Sequence, residues 1–184
     1  MKSNAALLFL AGIFGTGLFL TSCKKDADKT ETKTLYDSLG GSTMVNDPAN
    51  PGTKIQQGRL GIRSVVDSTI FVIAADPEIN GFFTALLAEV TAGNTSGFEA
   101  LSKNLTDFVC VGTGSTSYTY GGKSMVAAHD PAQNARMNGK ADNGDFDAFL
   151  ADLVKGAKKN GLPDQLIGRV GALVESLRTM VVQK

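Results

Sequence analysis

Apolar residues recur with a helical period through most of the second half of this chain. Phe146, Phe149, Leu150, Leu153 and Val154 stand three and four apart and predict an amphipathic helix. Lys158 and Lys159 fall in its last turn, where cations suit the helix dipole, and Gly161 supplies a stop. Pro163 opens a second helix, and the stripe Leu166, Ile167, Val170, Leu173, Val174, Leu177 and Val181 carries it almost to the end. Phe98, Leu101, Leu105 and Phe108 predict a third, over about Gly97–Val111, capped within Asn94–Ser96 and ended by Gly112-Thr113-Gly114. Lys123–His129 reads as a short helix stopped by Asp130-Pro131.

Other stretches are less regular. Leu35–Leu39 is a short apolar segment stopped by Gly40-Gly41, where two glycines permit a sharp redirection. Asn46–Gly61 holds Pro48, Pro51, Gly52, Gly58 and Gly61 and reads as a long loop, and Asp130–Gly144 is polar and loop-like. Ile62–Ala75 is ambiguous. Its β-branched content suits a buried strand, yet Val66, Ile70, Ile73 and Ala74 share one helical face. The body is mostly α, with about five helices.

The N-terminus changes the domain picture. Met1-Lys2 precedes the apolar stretch Ala5–Leu20, which is short for a spanning helix of about 20 residues. Leu20-Thr21-Ser22-Cys23 then fits a lipoprotein signal. Residues 1–22 are expected to be a signal peptide, removed to leave Cys23 lipidated. Residues 23–34 form the lipidated cysteine and a charged tether, and 35–184 one domain. Such a chain is expected to be exported and held on a bacterial membrane, at its periplasmic or cell-surface side, by two or three acyl chains, since each buried methylene contributes roughly 0.8 kcal/mol.

Charge and composition exclude several functions. The 184 residues carry 18 basic and 18 acidic side chains, and no basic run after the tether suggests nucleic acid. Once Cys23 is lipidated, Cys110 has no partner for a disulfide within one chain. Demanding chemistry has few candidates. No Cys-x-x-Cys is present, and His129 is the single histidine. One imidazole can still hold an iron if a porphyrin supplies the four in-plane ligands.

Read in order, the chain resembles the group 1 truncated haemoglobins. Leu35-Tyr36 with Gly40-Gly41 is similar to that family's opening. Val65-Val66-Asp67 and then Ala75–Phe83 resemble its second helix and the following corner. Asn104-Leu105, Asp107, Val109-Cys110 and Thr113-Gly114 resemble its distal helix. Tyr120, Gly122, Met125 and Ala128-His129 resemble the turn and helix bearing its proximal ligand. Asp145–Phe149 and Asp152–Val154 resemble its next helix. The similarity runs over nearly all of Leu35–Val182. It implies an all-α, shortened globin fold, a two-over-two helical sandwich, with Ile62–Ala75 helical and one haem enclosed.

That resemblance assigns roles residue by residue. His129 is placed as the proximal iron ligand, its other ring nitrogen held by an acceptor such as a backbone carbonyl. Phe83, with Phe82 as the competing choice, is placed against the porphyrin face, and Met125 lies on the proximal side. Lys123 is placed to meet a haem propionate. On the gas-binding side the aligned positions are Ile70, Leu101 and Leu105, where many relatives carry tyrosine and glutamine. None of the three donates a hydrogen bond. A donor to bound dioxygen contributes roughly 1.5–3 kcal/mol, so its loss weakens retention about 10- to 150-fold. Thr69, Asn104, Tyr118 or Tyr120 would restore a donor by entering the pocket. Two insertions, near 46–61 and 130–144, depart from the family pattern.

The leading expectation is therefore a lipid-anchored haem protein that binds oxygen, nitric oxide or carbon monoxide and is not primarily an enzyme. A second is nitric oxide detoxification or peroxidase-like turnover with an unknown reductase, although an apolar pocket suits proton transfer poorly. A third is a globin-like interaction lipoprotein without haem.

Overall fold

The protein is described here by a computed structural model of residues 32–184. The expected signal peptide and Cys23 lie outside the described residues. Among those described there are eight α-helical segments, one 3-10 turn and one two-stranded hairpin.

The chain opens with α1 (Leu35–Ser38), whose Thr34 and Asp37 form a reciprocal capping box. Strands β1 (Met44–Asn46) and β2 (Lys54–Gln56) pair antiparallel, with Val45 opposite Ile55. Helix α2 follows at once, Gln57–Ala75, burying Ile62, Val66, Thr69, Ile70 and Ile73 along one face. A 3-10 turn, Asn80–Phe83, leads into α3 (Thr84–Thr91), and α4 spans Ser96–Gly112. Then come α5 (Met125–His129), α6 (Asn143–Lys159), α7 (Asp164–Glu175) and α8 (Arg178–Val181).

Two helix pairs make the sandwich. Helix α2 packs beside α4 and across α6, and α6 packs beside α7. The first core joins Tyr36, Ile62, Val66, Ile70 and Cys110, with Leu101 and Leu105 packed onto it. The second joins Phe146, Leu153, Val170 and Val174. Glycine makes the crossing of α2 and α6 possible. A Cβ on Gly156 would lie 2.8 Å from the backbone nitrogen of Thr69, inside any normal contact. At the other end of α2, Arg59 stacks on the Tyr118 ring and pairs with Asp107 at 2.6 Å. Burial pushes the adjacent Cys110 thiol up to about 11, so it behaves as a small apolar group.

Three expectations need correction. Asn46–Gly61 is not a long loop. Its middle is the hairpin, and α2 begins at Gln57 because Gly58 lets the backbone of Gly41 and the Tyr36 ring come close, where a Cβ would be 2.9 Å from each. Asn94–Ser96 does not cap α4 through its N-cap side chain. Thr95 instead donates to Glu99 at 2.7 Å, while Asn94 accepts from Ser96. The last helix is broken after Glu175, and its C-terminal turn restarts at Arg178. The resemblance, rather than local propensity, gave Ile62–Ala75 correctly as helix.

Candidate functional site

A cavity of about 490 Å³ opens between α2, α3, α4, α5 and α6, within the range of small-molecule and cofactor sites. Ile70 and Ile73 reach it from α2, Leu86 and Leu87 from α3, and Leu101 and Leu105 from α4. Phe82 and Phe83 of the 3-10 turn and Met125 and His129 of α5 complete the part that concerns chemistry. The structure thus brings seven of the eight residues singled out by resemblance for haem contact to the lining of one cavity, and His129 is half-buried there.

Lys123 is the exception. It is exposed and absent from the cavity wall, and its ammonium donates to the Gln133 carbonyl at 3.0 Å. The Tyr120 hydroxyl donates to the Lys123 carbonyl at 2.6 Å, which fixes the turn before α5. Of the alternative donors, Asn104, Tyr118 and Tyr120 are not on the wall. Thr69 is, but its hydroxyl is committed to the Val65 carbonyl at 2.8 Å.

His129 is held by its own helix. Its Nδ1 lies 2.8 Å from the Met125 carbonyl oxygen. A carbonyl only accepts, so Nδ1 carries a proton, and the tautomer of the neutral ring that fits this contact has its lone pair on Nε2. That is the tautomer a metal-ligating imidazole requires. Helix α5 is set by Ser124, whose hydroxyl accepts from the Ala127 amide at 3.3 Å. The other polar side chains of the lining make hydrogen bonds of their own. Ser64 donates to Leu60, Asn160 donates to Ser64, and the Asp145 carboxylate accepts from the Asp142 amide in the capping box of α6. No hydrogen bond engages Nε2 of His129.

These features fit a porphyrin. The cavity lining is apolar, aromatic rings stand on it, and one imidazole presents an unengaged Nε2. Among the described residues no cluster of three His, Cys, Asp or Glu side chains would hold a metal ion directly. No single helix among them is long and apolar enough to cross a membrane. Met137, Leu86 and Leu87 also line the cavity and were not expected as site residues. A methionine alone in the polar run Asp130–Gly144 was the available signal for Met137.

No family model and no curated protein matches the sequence. Solved structures do. The truncated haemoglobin of Tetrahymena pyriformis in its Fe(III) form superposes with a TM-score of 0.58 at 22% identity, over 82% of this chain and 99% of that chain. Two single-substitution variants of that protein, also in the Fe(III) form, give the same values. The chain therefore has the truncated-globin fold.

Proposed function

We propose that this chain binds one haem in the cavity, where His129 Nε2 would hold its iron, and that the haem would bind a small diatomic gas near Ile70, Leu101 and Leu105. The unengaged Nε2 of the His129 imidazole on an apolar cavity lining is the observation that carries the reading. Haem, when bound, supplies the iron that takes the gas. Met125 fixes the His129 ring through its carbonyl, and Phe82 and Phe83 contribute apolar contact at the corner. Ile70, Leu101 and Leu105 exclude water and offer no donor. Dioxygen retention is then poor, while nitric oxide and carbon monoxide depend less on such a bond. The missing proton-transfer group also weighs against peroxidase-like turnover.

The Leu20–Cys23 sequence supports lipidation at Cys23 and attachment to a membrane on the exported side. Metabolic labelling with a fatty acid, lost in Cys23→Ala, tests that part alone.

Titrating haemin into the purified full chain tests the main reading. Uptake is expected to saturate at one equivalent with a sharp Soret band, and His129→Ala to weaken it and change its shape. Identical titrations for the two proteins would remove the assignment.

A further inference from the structure

The segment joining α5 to α6, residues 130–141, forms one side of the cavity through Met137 and Ala141. Both ends of it are fixed. Asn134 Nδ2 donates to the Ala128 carbonyl at 2.7 Å near α5. At the far end Ala141 bridges Val182, and the Gln183 amide donates to Ala141 at 2.8 Å. Between these points the segment reaches across to the opposite wall by polar contacts. Arg136 makes a two-pronged ion pair with Glu89 of α3, at 2.8 and 2.6 Å. Asn138 donates to the Gly81 and Phe82 carbonyls, at 3.0 and 3.2 Å.

None of residues 130–140 is buried, so almost no apolar area resists their release. Segments held in this way open at far lower free energy than the core. The ion pair itself is reached by solvent, with Arg136 53% and Glu89 27% exposed. Space for it is made on a third element. A Cβ on Gly97 of α4 would collide with the Glu89 carboxylate and lie 2.7 Å from Arg136 Nη1. A glycine there gives up helix stability, which suits the pair rather than the helix.

We infer that residues 130–141 are a lid over the cavity and that Arg136–Glu89 is its latch. The latch sets how often the lid opens to let an apolar occupant in or out. The inference rests on the haem reading for the identity of the occupant, but not for the motion.

Two substitutions in the full chain test it, Arg136→Gln and Gly97→Ala. Entry of an apolar fluorescent dye, anilinonaphthalene sulfonate, into the haem-free protein is followed by stopped-flow. Each variant is expected to speed entry about two- to fivefold, the range of a solvent-reached ion pair. Salt at 1 M should speed entry in the parent and leave Arg136→Gln unchanged. Haem transfer to excess apomyoglobin should accelerate by the same factor. Unchanged dye entry in both variants overturns the lid. Faster dye entry in a protein that takes up no haem keeps the lid and removes the haem reading. Should both variants unfold, amide exchange in the unsubstituted chain decides. Met137 and Asn138 amides are expected to exchange faster than those of α2 and faster still in salt, and protection equal to α2 would refute the lid.

Discussion

His129 Nδ1 stands 2.8 Å from the carbonyl oxygen of Met125, the first residue of the same five-residue helix. The ring's orientation therefore depends on one helical turn that buries none of its residues. Its N-cap, Ser124, is one of the few groups that hold that turn. Replacing an N-cap serine by alanine costs about 1 kcal/mol, or roughly fivefold in an equilibrium. Ser124→Ala is expected to weaken haem affinity by about that factor while leaving the urea midpoint of the haem-free chain unchanged. Parallel haemin titrations and urea melts check both halves.

The cavity wall at Leu101 and Leu105 gives a gain-of-function test of the proposal. Leu105→Gln places an amide donor where Leu101 and Leu105 now present only carbon. A donor to a partly charged acceptor contributes roughly 1.5–3 kcal/mol, so dioxygen release should slow about 10- to 150-fold. Carbon monoxide release should change much less. Flash photolysis of the two complexes measures the contrast.

Close packing at the α2–α6 crossing sets a stability prediction. A Cβ at position 156 meets the Thr69 backbone, with its nitrogen at 2.8 Å and its Cα at 2.9 Å. Backbone cannot step aside as a side-chain tip does. Gly156→Ala is expected to destabilise the chain by about 1–3 kcal/mol despite alanine's better helix propensity. Urea unfolding followed by circular dichroism reads this directly.

Acid should loosen the hairpin. Hydrogen bonds from Arg63 and then Asn50 hold the Asp47 carboxyl well below its ordinary value of 3.8. Arg63 Nη2 reaches it at 2.7 Å, tying the loop of the hairpin to α2. A depressed carboxyl contributes stability that is fully present above the ordinary value and is lost as pH falls toward the folded one. The urea midpoint is expected to decline between about pH 4 and pH 2. Asp47→Asn should lower the midpoint above pH 5 and flatten its decline below pH 4, so that the two proteins converge near pH 2.

Much of the fold was legible because the long helices carry strong stripes. Phe146, Phe149, Leu150 and Leu153 could serve only as one buried face, and Asp142 with Asp145 then caps it. His129 stood out for a different reason, as the single histidine of the chain, and the structure places it on the cavity lining. The hairpin was not. Its strands are three residues each, too short for a period, and Pro48, Pro51 and Gly52 between them read as loop. The start of α2 was hidden by Gly58 and Gly61, whose reason lies in distant partners such as Tyr36. The stripe over Leu173, Val174, Leu177 and Val181 kept its helical spacing across the break after Glu175, so sequence alone ran one helix through it. Lys123 misled because its charge suits a propionate, while its contact with the Gln133 carbonyl depends on a loop fold that no local pattern encodes.

The central claim is a bond between one imidazole nitrogen and a porphyrin iron. Resonance Raman spectroscopy of the reduced, haem-loaded chain observes that bond through its iron–imidazole stretching band. The band is expected in the unsubstituted protein, absent in His129→Gly, and restored on adding free imidazole to that variant. A band that persists in His129→Gly without imidazole, or haem bound in the parent with no such band, would contradict it.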